Sequence, residues 1–293
     1  MRRAAQASAP VTGLANPHAA PPEDTLIYVY GVARAGAMTP SSAALVEGLV
    51  PGTFVELVPD GDLAAVISRV PWDAFAPGGT AADGAGNLAA ERVLAHHRVL
   101  ANLAMFASIA PVKFGVIRRN LDDVLAAVAG STAAFAQALA RVDGAQEWRV
   151  KLHADVDVCR AAVRAALMLK PRQAGHDPAA AGRVFFRHGP LHDLDGEVLR
   201  DLAARARSVH RLVAARTREA APDACCGLGA GWNGYAPALI LKSAYLVEKA
   251  CEAGFKQAMA DLGDALEAEG CILDVSGPLP PYSFAAVDID SAG

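Results

Sequence analysis

The chain has 293 residues, of which 53% are hydrophobic and 20% are charged. Its 27 basic and 31 acidic residues give a net charge of −4, which is too close to neutrality to indicate nucleic acid or an anionic membrane as a partner. No apolar stretch reaches the roughly 20 residues that a membrane-spanning helix needs. The length is enough for one large domain or, more naturally, two modest ones with aliphatic cores.

The first half of the chain predicts a mixture of strands and helices. Residues 1–24 are rich in Ala and Pro and lack the apolar core of a signal peptide, so we expect a disordered leader. β-Branched and aromatic residues predict a strand at 25–32, and a Pro-Asp-Gly-Asp turn between two apolar runs predicts a hairpin. The two apolar runs lie at 52–58 and 63–70. After them we predict a loop over 77–86, a helix over 88–106 and a strand over 111–117.

A well-specified helix is predicted from Asn120 onward. Asn120 can cap it, and Asp122 and Asp123 in the first turn interact favourably with the helix dipole. We expect Gly130 to weaken this helix without breaking it. One face then carries residues at helical spacing: Leu121, Val124, Leu125, Val128, Thr132, Phe135 and Leu139.

The second half predicts a ferredoxin-like order of elements. In sequence these are a strand at 147–152, a helix at 158–169, a loop at 175–182, a long helix at 191–220, a weak strand near 225–230, a strand at 238–247, a helix at 248–269 and a strand at 271–275. This order is βαββαβ with one inserted helix. We therefore predict an α+β protein of two domains, a mixed α/β domain over 25–145 and a ferredoxin-like domain over 146–293.

A proline-rich run at residues 277–284 follows the last predicted strand. Proline fixes φ and removes a backbone donor, so this run cannot continue a helix or a central strand. We interpret it as an extended architectural clamp whose aromatic side chains dock on one of the two domains. The residues of this motif are Gly277, Pro278, Pro280, Pro281, Tyr282 and Phe284.

The five cysteines predict free thiols. Cys225 and Cys226 are adjacent, no Cys-x-x-Cys pair occurs, and the count is odd. Cys159, Cys251 and Cys271 lie in apolar surroundings, so we expect buried thiols in a reducing cytosol.

Neither a nucleotide site nor a metal site is well supported. The glycine-rich stretch 227–234 lacks the Lys-Ser/Thr of a P-loop and leads towards a strand, so a flexible connection is favoured. His96 and His97 would point about 100° apart on a helix, and we expect His96 at a core boundary. His188 and His192 are separated by a Gly-Pro pair that prevents a regular helix. We expect no catalytic residue, no cofactor and no metal.

Four arginines share helical spacing along the long predicted helix: Arg200, Arg207, Arg211 and Arg218. They form either a solvated polar face or a docking face for an acidic partner or the neighbouring domain. Solvation is the more common situation, since surface charges contribute little to stability.

Six short segments, in this order, resemble the gas vesicle protein L/F family. They are Tyr-Val-Tyr-Gly-Val at 28–32, His-His-Arg-Val-Leu at 96–100, Ala-Pro-Val-Lys-Phe-Gly at 110–115, Trp-Arg-Val-Lys at 148–151, Ser-Ala-Tyr-Leu-Val at 243–247 and the run at 277–284. The chain departs from the family pattern at Lys113, where Arg is usual, and at Leu279, where Trp is frequent. The resemblance leaves open whether the chain is of the L or the F type.

The resemblance implies a cytoplasmic protein that helps to build gas vesicles, hollow protein-walled organelles that give buoyancy. It implies contacts with the major gas vesicle shell protein and other accessory gas vesicle proteins, and a two-domain fold with a ferredoxin-like C-terminal domain. We expect a non-enzymatic structural and assembly role, with the partner bound by β-edge pairing or in a groove between the domains. The alternatives are a nucleotide-responsive module or enzyme using residues 227–234, and a self-associating scaffold.

Overall fold

The computed structural model describes residues 25–75, 85–169, 193–221 and 237–289. Over these ranges the chain forms two antiparallel sheets that pack against helices. The α+β class predicted from the sequence is confirmed.

The first sheet is built around its first strand. The strand order is β2–β3–β1–β4, and β5 also pairs with β1. Both faces of β1 are buried, which explains its nearly continuous apolar sequence. The strands are β1 (Thr25–Arg34), β2 (Val55–Asp60), β3 (Leu63–Pro71), β4 (Ile109–Pro111) and β5 (Ile117–Arg118).

The predicted hairpin is confirmed, but the predicted strand at 111–117 is not continuous. The β2–β3 turn places Gly61 at φ +58°, a conformation that glycine adopts without strain. The other segment divides into β4 and β5 because Gly115, at φ +91°, turns the chain between them. The Gly115 N–H donates to the hydroxyl of Tyr28 at 3.1 Å, which fixes this turn against β1.

The helix predicted from Asn120 is two helices. Asn120 caps the first as expected, accepting a hydrogen bond from the Asp123 N–H at 2.8 Å. The second begins after Ser131, whose φ of −118° and ψ of 15° are not helical. The expectation that Gly130 leaves one helix intact is therefore wrong. The helices of this half are α1 (Pro40–Ala43), α2 (Ala85–Ala104), α3 (Leu121–Gly130) and α4 (Thr132–Val142).

No single helix in the described ranges is long and apolar enough to cross a membrane. Helices α3 and α4 meet the length and hydropathy criteria only when taken together, across a bend of 72°.

The second sheet has the strand order β7–β8–β6–β9. Its strands are β6 (Ala145–Ala154), β7 (Glu219–Ala221), β8 (Ala238–Glu248) and β9 (Cys271–Leu279). The helices of this half are α5 (Val156–Leu169), α6 (Leu194–Ala214), α7 (Glu252–Glu267), which follows a 3-10 turn at Lys249–Cys251, and the short α8 (Tyr282–Ala285).

The long helix predicted over 191–220 ends earlier than expected. Helix α6 stops at Ala214, and the Arg218 N–H then donates to the carbonyl of Leu246 at 2.8 Å as the chain joins the sheet as β7. This short edge strand was not predicted at this position. The strand predicted near 225–230 and the loop at 175–182 lie outside the described residues, as does most of the loop at 77–86.

Three buried clusters hold these layers together. One lies between α2 and one face of the first sheet, and another lies between α5, α6, α7 and one face of the second sheet. The third lies between the other face of the first sheet and α3 and α4. It also contains Ala244 and Leu246 of β8 together with Phe284, Val287 and Ile289, so the two halves of the chain share a core.

Candidate functional site

Residues 280–289, which we call the tail, lie at the junction between the two halves. Glu147, which is fully buried in β6, accepts hydrogen bonds from the Ser283 N–H at 2.8 Å and from the Ser283 hydroxyl at 2.9 Å. Burial raises the pKa of the Glu147 carboxyl, although both Ser283 hydrogen bonds and Arg149 act in the opposite direction.

An aromatic group of side chains surrounds the tail at Tyr282. The Tyr282 ring stacks on His97 and also contacts His96, with ring centroids 6.2 Å apart in both pairs. His96 is 2% exposed, and its Nδ1 lies 2.8 Å from the Tyr28 hydroxyl. Burial lowers the pKa of His96 to about 4, so the ring is neutral at neutral pH. His96 is thus hydrogen-bonded, as expected, but it lies inside the core rather than at its boundary.

Beyond Tyr282 the tail crosses to the first sheet. Phe284 is buried against α4, where the Arg141 guanidinium lies 5.4 Å from its ring centroid and donates to its carbonyl oxygen at 2.9 Å. Val287 forms a parallel bridge with Val112, and its N–H donates to the carbonyl oxygen of Pro111 at 3.0 Å. Each of these contacts joins the C-terminal end of the chain to the N-terminal half.

The proline-rich run consists of two parts, the end of a strand and a short helix. It is therefore not the single extended segment that the sequence predicts. Gly277, Pro278 and Leu279 belong to β9, so this strand is four residues longer than predicted. The proline is tolerated because β9 is an edge strand and its register with β6 shifts at this point, between Glu147 and Arg149. Pro280 and Pro281 are buried, and Tyr282 then opens α8, in which the Ala285 N–H donates to the Pro281 carbonyl oxygen at 2.8 Å.

The structure does not place the four arginines on one helical face. Arg200, Arg207 and Arg211 lie on α6 and are exposed, whereas Arg218 lies beyond the end of that helix. The predicted stripe is therefore wrong for Arg218, because the helix ends at Ala214. Arg200 pairs with Asp193 at 3.0 Å and with Glu197 at 3.1 Å.

Arg218 instead belongs to the junction. Its guanidinium makes two hydrogen bonds to the Glu248 carboxylate, at 2.6 and 2.7 Å. It also donates to the carbonyl oxygen of Arg141 at 2.9 Å. Since Arg141 in turn contacts Phe284, Arg218 supports the residue that holds the tail.

One of the three described cysteines differs from expectation. Cys251 is exposed rather than buried, since it lies in the 3-10 turn before α7. Cys159 and Cys271 are buried free thiols, but they lie close enough together to influence each other. Burial raises the pKa of Cys159 to about 11 and also raises that of Cys271, so both are protonated at neutral pH.

A groove of about 610 Å³ runs between α7 and β9. Helix α7 and β9 are antiparallel, so Lys256 lies near Val275 at one end, and Asp264 and Glu267 lie near Cys271 at the other. Sequence reasoning missed this groove. The available signal was the pair of small residues Ala260 and Gly263, which lie three positions apart on α7 and line the groove beside Met259.

Several other residues that the sequence singles out lie outside the described part of the chain, so the predictions about them stay predictions. The glycine-rich stretch 227–234, Cys225, Cys226, His188 and His192 lie outside it. Among the described residues, no three His, Cys, Asp or Glu side chains come together as a group that could hold a metal ion.

Comparison with known proteins identifies the family. The model of the family "Gas vesicle synthesis protein GvpL/GvpF" matches residues 26–286. Gas vesicle protein L of Streptomyces sp. (strain CB03234) is 30% identical over 275 residues, covering 90% of this chain and 94% of that protein. Gas vesicle protein F of the same strain is 28% identical over 263 residues, covering 88% and 98%.

Solved structures show the same fold. The crystal structure of the gas vesicle protein GvpF from Anabaena sp. PCC7120 superimposes with a TM-score of 0.64 at 15% identity, covering 90% of this chain and 97% of that one. GvpF from Microcystis aeruginosa gives a TM-score of 0.60 at 17% identity, with coverages of 89% and 99%. The resemblance seen in the six sequence segments is confirmed, and the chain belongs to the gas vesicle protein GvpL/GvpF family.

Proposed function

We propose that this chain is a non-enzymatic minor structural and assembly protein of the gas vesicle, acting in the cytoplasm and at the vesicle. In this role it binds the major shell protein and other accessory gas vesicle proteins while the vesicle forms. Membership of the GvpL/GvpF family carries the proposal. A shell subunit that self-associates exposes apolar surface before incorporation, and a protein that covers this surface prevents aggregation.

Exposed apolar side chains support a binding role. Large side chains with more than two thirds of their surface exposed occur in both halves of the chain: Leu45 (81%), Leu94 (68%), Met105 (71%) and Leu169 (83%). Apolar surface of this kind favours contact with other proteins.

We further propose the domain division predicted from the sequence, with a leader over 1–24, an N-terminal α/β domain over 25–145 and a ferredoxin-like domain over 146–293. The order β7–β8–β6–β9 supports the ferredoxin-like assignment, since the first and third strands of the unit are then central and the second and fourth lie at the edges. In this division the tail acts as a clamp, because Ser283 and Phe284 connect β6 to α4.

Of the two binding modes considered, the structure favours β-edge pairing. A groove between the domains would have to open at the junction, where Tyr282, Phe284 and Val287 already fill the space. The second sheet, in contrast, ends in the long edge strand β9, which no described strand covers.

Two experiments test the assembly role. Deletion of the gene from its host should abolish intact vesicles and flotation, and re-expression of the full chain should restore both. Normal flotation after deletion would contradict the proposal. In co-expression, the tagged chain should retain the major shell protein on an affinity column under conditions that keep the shell protein soluble.

A further inference from the structure

The outer edge of β9 has backbone groups available for pairing. The Asp155 N–H donates to the Gly270 carbonyl oxygen at 2.8 Å, which makes the neighbouring pair Ala154–Cys271 a non-hydrogen-bonded pair of the ladder. The register is regular from Cys271 to Ser276, so Leu273 and Val275 have the same status. The N–H and C=O groups of these three residues therefore point away from β6.

The other edges of the two sheets are shortened or covered. Strand β2 contains Pro59, which cannot donate to a ladder, and β7 has only three residues. Strand β4 has the tail beside it, where Val287 bridges Val112. Strand β9 is nine residues long and has no proline before Pro278. Among the described edges, it is the one best able to accept another strand.

The same three residues of β9 face the groove beside α7. Cys271, Leu273 and Val275 pack in the buried cluster that α7 also joins, so a strand added at the outer edge would direct alternate side chains into this groove. The groove floor accommodates such side chains, because a Cβ added at Gly263 would meet no atom within 4 Å.

Polar groups in the groove indicate the chemistry of the added strand. The indole N–H of Trp148 is buried and has no hydrogen-bond partner among the described residues, although Trp148 is only 4% exposed and lines the groove. At the opposite end, Asp264 and Glu267 are exposed one helical turn apart and form no ion pair with any described residue. Lys256, which lies 5.3 Å from the Trp148 ring centroid, is already paired with Glu252.

We propose that the β9–α7 groove binds an extended segment of a gas vesicle partner protein by β-strand addition. This segment has apolar side chains at alternate positions and a Lys or Arg at the end that lies beside Asp264 and Glu267. In an antiparallel addition to β9, this basic residue is at the C-terminal end of the segment. The inference rests on the proposed function and specifies where and by what chemistry binding occurs.

A designed peptide tests the groove directly. The probe has seven residues, with Val at alternate positions, Thr between them and Arg at the C-terminal end; a second peptide has Glu in place of Arg. Fluorescence anisotropy with the full chain should show tighter binding of the Arg peptide. Gly263→Leu should weaken its binding at least tenfold by filling the groove, and Asp264→Lys at least threefold by reversing the charge.

Matched variants on the same helix separate these effects from damage to α7. Gly254→Leu also adds a side chain where a Cβ meets no atom within 4 Å, and Asp261→Lys makes the same charge change away from the groove. Both should bind the peptide like the unmodified chain, and all four variants should keep its circular dichroism spectrum. Equal binding of the peptide by Gly263→Leu and Gly254→Leu would overturn the proposal.

The same variants distinguish the site from the function. If the shell protein is retained by the unmodified chain and by Gly254→Leu but lost with Gly263→Leu, the groove is the binding site. If Gly263→Leu retains it equally well, the groove proposal fails and the assembly role stands. If the unmodified chain does not retain the shell protein while the peptide still binds in a Gly263-dependent manner, the shell-binding role fails and the groove stands.

Discussion

The two sheets of this protein differ in whether an edge strand is covered. Neighbouring segments are responsible for both, since β9 forms an edge of the second sheet and the tail that follows it lies beside β4 of the first. At the first sheet, the tail covers β4 through the Val287–Val112 bridge and buries Phe284 against α4. At the second sheet, β9 leaves the outward groups of Cys271, Leu273 and Val275 without a described strand partner. The tail thus covers one edge, whereas the other is the edge at which we propose strand addition.

We expect the tail to contribute mainly to stability and the groove beside β9 mainly to binding. Residues after Pro280 make buried contacts across the junction, so changes there should affect unfolding first. The groove beside β9 contains the small, partly exposed Gly263, so changes there should affect binding with little loss of stability.

The largest effect is expected for Phe284→Ala. Removing a buried aromatic ring leaves a cavity in the core that the two halves share, and such substitutions cost about 3–5 kcal/mol of unfolding free energy. Denaturant unfolding, followed by circular dichroism, measures this cost.

Phe54→Ala is the matched control. The Phe54 side chain is 53% exposed, so its removal should cost less than about 1 kcal/mol. Similar losses for the two variants would show that the tail is not part of the core, and the contrast between the two edges would fail.

A smaller, pH-dependent effect is expected from His96. The folded-state pKa of about 4 lies below the ordinary value of 6.5, so the unfolded chain binds the proton more readily. Stability from this group is complete above about pH 6.5 and falls as the pH decreases towards 4. Linkage predicts a loss of about 2 kcal/mol between pH 7.5 and pH 5.

Other titratable groups at the junction modify this profile. His97 acts in the same direction, because burial lowers its pKa as well. Glu147 acts in the opposite direction, because burial raises its carboxyl pKa and protonation then favours the folded state at low pH. His96→Phe should flatten the dependence of unfolding free energy on pH, whereas an unchanged slope would exclude His96 as its source.

Local sequence patterns predicted the order of elements well, because periodicity and turn residues act over a few positions. The hairpin at Gly61, the cap at Asn120 and the strand β6 follow from such signals. The helix break at Ser131 does have a local signal, because Gly130 and Ser131 form the kind of pair at which helices bend. Glycine alone does not decide between a weakened and a broken helix, and the bend lets α3 and α4 pack against the same core. By contrast, no proline or glycine marks Ala214 as a helix end.

The candidate sites depended on contacts between distant residues, which the sequence does not display. Prolines indicated a docked run, but Glu147 as the acceptor for Ser283 lies 136 positions away. The groove requires α7 and β9 to be antiparallel neighbours and β9 to be an edge strand. The helix prediction for 191–220 placed Arg218 with the exposed arginines, whereas the actual end of α6 places it at the junction.

The smallest effect on the closed side should come from Arg218→Ser, which removes the hydrogen bonds to Glu248 and to the Arg141 carbonyl. These groups are partly exposed, so the loss of stability should be measurable but well below that of Phe284→Ala. Arg207→Ser is the control, because Arg207 is exposed on α6 and makes no ion pair with a described residue; it should leave unfolding unchanged.

If Arg200, Arg207 and Arg211 together form a docking face, replacing all three with Ser should weaken shell-protein retention without lowering the denaturation midpoint. Unchanged retention would show that these three side chains only contact solvent. In the unfolding experiment, a loss of stability for Arg218→Ser but not for Arg207→Ser would show that Arg218 supports the tail beside the first sheet.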